Sequence, residues 1–396
     1  MNQGPSAAPR RLAAQGDRRD HDTTPPADDV GRRTVDQAGP APTPDGIGSD
    51  APASTVPGPD ATARPGRRDR FWLLIAGLVL AVGVLFGASL MVGPAALGLG
   101  ESLEALFAGR GDAAVLVMQE IRLPRAILGA MIGATLGLSG AVLQGYLRNP
   151  LAEPGLIGVS GSASLGAVLA IYTGLSAQFA LALPLMALGG ALVAVMAVQA
   201  MAGRGGSITL ILAGIAVSAF ASALTSLALN LSPNPFAALE VVFWMLGSLA
   251  DRSMVHVQLA APFMVAGWIM LGSLGRALDA LSVGDDTAAS MGVNVLRVRN
   301  LAVVGTAASV GAATAVAGAI GFVGLVVPHI LRPLVGARPS RLLLASALGG
   351  AAMLLAADVA VRLVAPDKDL KLGVLTSLVG APFFLWLIYR TRRNLV

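Results

Sequence analysis

The sequence predicts an all-α, polytopic membrane protein of about ten transmembrane helices, and three observations carry that expectation. Of its 396 residues, 55% are hydrophobic and only 13% charged, against roughly 25% charged in a soluble domain, and the mean hydropathy is +0.71. Apolar stretches of about 17 to 24 residues recur from Phe71 to Tyr389, where a helix needs about 20 to cross the hydrocarbon core. Arg and Lys between these stretches are also distributed unequally, as the positive-inside bias requires.

In chain order, residues 1–70 come first, rich in Pro, Ala, Gly, Asp and Arg and without an apolar period. Such a segment buries too little surface to offset the entropy of ordering, so a disordered cytoplasmic tail is expected. It is not a signal peptide, because the first apolar run begins only at Phe71 and is long enough to span. The membrane domain, 71–396, then holds ten expected spans. They cover Phe71–Val92, Arg125–Leu147, Leu156–Tyr172, Phe179–Met201, Ile208–Leu231, Val257–Leu274, Leu301–Ala317, Ile320–Val335, Leu342–Val364 and Leu375–Tyr389. Pro328 and Pro333 interrupt the eighth. Between the fifth and sixth lies a run too short to cross, Val241–Leu249, and the longest cytoplasmic connection is Gly275–Asn300.

Orientation follows from the cations. With the N-terminus inside, one side collects Arg64, Arg67, Arg68, Arg70, Arg148, Arg204, Arg276, Arg297, Arg299, Arg332, Arg338, Arg341, Arg390, Arg392 and Arg393. The other holds only Arg110, Arg122, Arg125, Arg252, Arg362, Lys368 and Lys371. Both termini are therefore expected in the cytoplasm.

Composition also excludes chemistry. Zero cysteines rule out a disulfide framework, a thiol nucleophile and a Cys-ligated metal. A P-loop needs a lysine after its glycines, and the only lysines are Lys368 and Lys371, so ATP and Mg, if used, belong to another polypeptide. No Asp/His cluster or Ser-Lys pair suggests a membrane-embedded enzyme. His329 stands without a second intramembrane His, so no metal site and no bound cofactor are expected. Asp358, alone deep in a late span, pairs with Arg362 at i,i+4; a proton-coupled carrier would show more such groups. The net charge of +5 needs no nucleic acid, since inside-facing loops account for it, and the basic patch 64–70 suits anionic lipid.

The most distinctive stretch is Arg122–Ser160, RLPRAILGAMIGATLGLSGAVLQGYLRNPLAEPGLIGVS. Gly129, Gly133 and Gly137 leave one helix face nearly bare for close packing, and the turn Asn149–Gly155 holds two prolines, an amide and a charge. Together with Val283–Val293 (VGDDTAASMGV), Val316–Leu331 (VAGAIGFVGLVVPHIL) and Gly373–Ile388 (GVLTSLVGAPFFLWLI), it resembles the permease subunits of binding-protein-dependent, ATP-driven importers for iron-siderophores, haem and cobalamin. The resemblance covers the chain from about Phe71 onward and implies the type II importer permease fold of the bacterial inner membrane. It further implies a homodimer, two ATP-binding cassette ATPase subunits inside, one substrate-binding protein outside, and no covalent chemistry on this chain. A secondary transporter or channel without an ATPase is the alternative.

The same resemblance assigns sites. Gly284, Asp285, Ala288 and Gly292 match the ATPase-coupling pattern, with 284, 288 and 292 expected along one helical face. Arg122, Arg125 and Arg362 match arginines that receive glutamates from the binding protein. Asn149, Leu151, Ser207 and Ile208 match the cytoplasmic gate, Ser207-Ile208 standing where relatives carry two hydroxyls. Trp244 and Met245, in the short run before the sixth span, are expected beside the path. A weak echo between 139–144 and 317–322 suggests two related halves.

Overall fold

The computed structural model describes residues 67–393 apart from 94, 96, 109–111, 180, 204, 233 and 366–369. The expected tail therefore lies outside the described residues up to position 66, and Arg67–Arg70, assigned to it, instead form the first turn of α1 (Arg67–Met91). The described residues are nearly all helical. After α1 come two short helices, α2 (Leu99–Leu103) and α3 (Asp112–Val115), and a widened turn, Leu116–Arg122, that runs without a break into α4 (Leu123–Tyr146). Then follow α5 (Val159–Tyr172), α6 (Leu175–Gln178), α7 (Ala182–Ala202), α8 (Ser207–Asn230), α9 (Pro235–Met245) and α10 (Met254–Gly272). The cytoplasmic connection is α11 (Gly275–Leu281) and α12 (Asp285–Ser290), and the chain ends with α13 (Val295–Ala317), α14 (Val323–Leu331), α15 (Pro339–Val364) and α16 (Leu372–Arg393).

Among the described residues eight helices are long and apolar enough to cross a membrane, two fewer than the expected ten. The third and eighth expected spans are the ones shortened. Pro154–Ile157 winds as a 3-10 turn, Gly158 takes φ 81, and only then does α5 begin, with 14 residues, or about 21 Å at 1.5 Å per residue. Ahead of α14, Gly318 (φ 73) and Phe322 (φ 67) are left-handed, and behind it Ala337 (φ 56) is too, leaving 9 helical residues. Backbone broken in this way is tolerated at membrane depth only inside protein, and α14 is almost entirely buried.

The core is built around α4, most of whose residues are buried. Its glycine face meets α15. A Cβ on Gly133 would collide with the Gly350 carbonyl, and one on Gly137 with that of Ser346. Gly140 approaches Gly324 of α14 in the same way. Trp268 of α10 donates its indole N–H to the Thr135 hydroxyl at 2.8 Å. Small residues thus replace the missing hydrophobic driving force with close backbone packing. Helices α1, α7, α8, α10 and α16 expose large apolar side chains, such as Leu73 (64%), Phe220 (67%) and Leu385 (67%), as surfaces against lipid or another helix must.

Candidate functional site

On the expected extracytoplasmic side, α1 stops at Met91 and leaves carbonyls without intrahelical donors. Two arginines satisfy them. Arg122 donates to the carbonyls of Leu90 (2.9 Å), Met91 (3.2 Å) and Ala95. Arg362 donates to those of Ser89 (2.8 Å) and Val92 (2.6 Å), and to the Ser89 hydroxyl (2.7 Å). Asp358, 1% exposed, accepts from Arg362 at 2.6 Å and from Arg125 at 2.8 Å. The expected i,i+4 pair is present, and the interhelical bond to Arg125 adds to it. Arg122 is 3% exposed, and all three guanidiniums are spent on internal acceptors, because uncapped carbonyls and a buried carboxylate are costly without them.

On the expected cytoplasmic side, α4 ends at Tyr146 and passes into the gate turn. Asn149 accepts the backbone N–H of Leu151 at 2.9 Å through its side-chain oxygen, a local turn that its sequence favours. Ser207 and Ile208 open α8, and Ile208 is 73% exposed. The structure joins the turn to α8 through Leu156, whose carbonyl a Cβ on Gly214 would strike, further along the helix than positions 207 and 208.

The coupling segment differs from its expected geometry. Only 285–290 are helical, with Gly284 (φ 137) before and Gly292 (φ 84) after, so positions 284, 288 and 292 do not form one helical face. Ala288 is fully buried and belongs to the main core. The outward face is made instead by Asp285, Asp286, Thr287, Ala289 and Ser290, flanked by Val283 (70% exposed) and Met291 (56%). Glycine is required at both ends because the chain turns there through positive φ.

Four polar contacts on this side were not foreseen from sequence. Arg148 pairs with Asp285 at 3.0 Å, Arg332 with Gln144 at 2.8 Å, and Asp279 accepts from the Ser340 backbone N–H (2.8 Å) and hydroxyl (2.6 Å). Arg299 donates to the carbonyls of Gly205 (2.9 Å) and Gly203, closing the α7–α8 turn. Charge complementarity between loops on one side was the signal available, but it does not select partners.

In the turn that follows α4, Glu153 borders a cavity of about 140 Å³ with Phe322 and Gly324. Burial pushes its carboxyl above the usual range, and the Phe322 backbone N–H it accepts opposes this in part. Trp244 packs on the main core and Met245 on Val168, Ile171 and Val241; their helix, α9, is short, as its length in sequence implied. His329 lies edge-on to Phe383 at 5.9 Å, and among the described residues no three His, Cys, Asp or Glu are grouped to hold a metal.

This architecture matches known proteins along nearly its whole membrane domain. The FecCD transport family matches over residues 79–390. A cobalamin import system permease protein of Halobacterium salinarum is 40% identical over 283 residues, covering 71% of this chain and 75% of that one. A vitamin B12 import system permease protein of Salmonella paratyphi A is 39% identical over 333 residues, covering 83% and 97%. An iron chelatin transport system permease protein of Helicobacter pylori is 40% identical over 279 residues, covering 70% and 83%. Among solved structures, a metal-chelate type ABC transporter in an inward-facing conformation superposes with a TM-score of 0.73 at 31% identity, covering 80% of this chain and 99% of that one. The chain is thus a multi-pass protein of the cytoplasmic membrane and belongs to the FecCD transport family, the permeases of ABC importers.

Proposed function

We propose that this chain is the membrane-spanning subunit of an importer for an iron chelate, such as a ferric siderophore or haem, or for cobalamin. The observation that carries the reading is the match over residues 79–390 to relatives named for cobalamin and for iron chelatin import. Two copies would pair as a homodimer, covering apolar positions along α8 such as Ile208 and Phe220 that one copy leaves exposed. A pair of separate ATPase subunits, holding ATP and Mg, would dock on the outward face of Asp285–Ser290, where Val283 and Met291 are apolar side chains without cover. A binding protein would deliver substrate from outside. Transport would proceed by alternating access, with movement of α11 and α12 opening or closing the path at the Asn149–Leu151 turn.

The test is ATP hydrolysis and uptake in proteoliposomes holding this chain, its genomically adjacent ATPase and its binding protein, with ferric siderophore, haem and cobalamin supplied in turn. The expected result is stimulation by one of these, abolished by Gly284→Arg, since φ 137 at that position does not accept a side chain without strain. Uptake without any ATPase, unaffected by Gly284→Arg, would replace the reading with a secondary transporter.

A further inference from the structure

We propose that Arg148 is a positioning residue that ties the gate turn to the first residue of the coupling helix, so that the two move as one unit; this rests on the coupling and gate roles proposed above. Arg148 Nη2 lies 3.0 Å from Asp285 Oδ1, joining positions that are remote in sequence. Asp285 is the first residue of α12, and Arg148 immediately precedes Asn149. No residue of the loop lies between the ion pair and the turn.

The backbone at Arg148 independently sets this side chain apart. Leu147 caps α4, and Arg148 follows with φ 49, its N–H reaching the Gly145 carbonyl at 3.4 Å. This is the left-handed position after a helix where glycine is usual and a side chain is disfavoured. Glycine would suit the backbone better, and it would lose the contact to Asp285. The side chains of Arg148 and Asp285 are 46% and 58% exposed, and an exposed ion pair adds little to stability. Its value is connective: one charge-assisted contact joins two short elements that are remote in sequence.

Packing beside the pair supports the same linkage. One turn earlier on α4, Gly145 has no side chain, and a Cβ built there would sit 3.5 Å from the fully buried Leu278 of α11. The last turn of α4 therefore faces Leu278 of α11 with little room between, and Arg148 just after it is tied to α12 through Asp285. A push on the outward face of α12 reaches the gate turn through a hydrophobic contact and an ion pair, with no long flexible loop to absorb it. Packed side chains, ion pairs and rigid short helices are the kinds of element that carry coupling between sites.

The experiment compares Arg148→Gly, Arg148→Glu and Arg148→Lys in the full complex, reconstituted with ATPase and binding protein, and reads substrate moved per ATP hydrolysed beside the melting temperature of each complex. Arg148→Gly is the informative variant, because it relieves the left-handed strain while removing the link. The expected result is an unchanged or raised melting temperature with a ratio about two- to thirtyfold lower, the range over which single mutations modulate coupling. Arg148→Glu should lower the ratio at least as far, Arg148→Lys should keep most of it, and exchanging the charges with Asp285→Arg should recover part of the loss in Arg148→Glu. An unchanged ratio in both Arg148→Gly and Arg148→Glu would overturn the link, as would a melting temperature that falls together with the ratio in Arg148→Gly. If wild-type chain fails to co-purify with any ATPase, it is the proposed function that falls, and the link with it.

Discussion

Asp358 and Arg125 stand 233 positions apart in the chain, and Arg125 donates to one carboxylate oxygen through Nε at 2.9 Å and Nη2 at 2.8 Å. With Arg362 on the other oxygen at 2.6 Å, one buried carboxylate is shared by two guanidiniums, a cluster that keeps a net positive charge, and it ties α4 to α15. Replacing Asp358 by Asn leaves both cations without their counter-charge. Breaking a buried pair costs about 3–5 kcal/mol, so Asp358→Asn is expected to lower the melting temperature of the detergent-purified protein sharply. A fall no greater than that of a surface Asp→Asn control would show that the cluster is solvated.

Arg122→Ala removes donors from the carbonyls of Leu90, Met91 and Ala95 at a site that is 3% exposed. Each buried acceptor left alone costs about 1–3 kcal/mol. The variant is expected to melt earlier than wild type and to become protease-sensitive near the end of α1, which limited proteolysis followed by mass spectrometry would detect.

Gly133→Ala places a methyl group against the Gly350 carbonyl, and Gly140→Ala against that of Gly324. Both contacts are backbone, which cannot rotate away. Overpacking of this kind costs about 1–3 kcal/mol. The expected readout is a broadened or aggregated peak in size-exclusion chromatography, whereas Gly189→Ala, which meets nothing within 4 Å, should elute as wild type.

The Glu153 carboxyl, raised by burial from an ordinary value near 4.5, makes stability depend on pH. A group whose folded pKa is raised binds its proton more tightly in the folded state. Stability is therefore highest below the unfolded value, falls as pH rises towards the folded pKa, and stays reduced above it. Glu153→Gln, which keeps an oxygen for the Phe322 N–H, should raise the melting temperature at pH 8 and leave it nearly unchanged at pH 4. Equal shifts at both pH values would mean that the ionised carboxylate is not penalised there.

Val283→Glu and Met291→Glu change side chains that are 70% and 56% exposed, so the fold should tolerate them. If the outward face of α12 receives the ATPase, each should lower the amount of ATPase that co-purifies while melting as wild type does. Ala288→Leu, by contrast, should destabilise the chain itself, because Ala288 is fully buried.

The long helices were legible because length and apolarity alone decide whether a segment can cross lipid. So was the close glycine face of α4, since spacing by four puts 129, 133 and 137 on one side. The short helices were less so. Apolar composition ran continuously through Leu156–Tyr172 and Ile320–Val335, and the breaks come from left-handed backbone at Gly158 and Phe322, the second at a residue type that rarely adopts it. The expected face through Gly284, Ala288 and Gly292 failed for a related reason: both glycines serve turns outside a helix of six residues.

Membrane residence, the long spans and the lack of thiol chemistry follow from composition and local pattern, which are properties of the chain before it folds, and the family follows from the resemblance of four motifs. What the polar residues touch was settled by packing. Arg122, Arg125 and Arg362 hold the end of α1 and Asp358, partners that their spacing in sequence does not name, while Arg148, unremarked among the loop cations, reaches Asp285. A charged side chain in a protein with so few of them takes whichever counter-charge or bare carbonyl the packing brings within about 3 Å, and that choice is made by helices far apart in sequence.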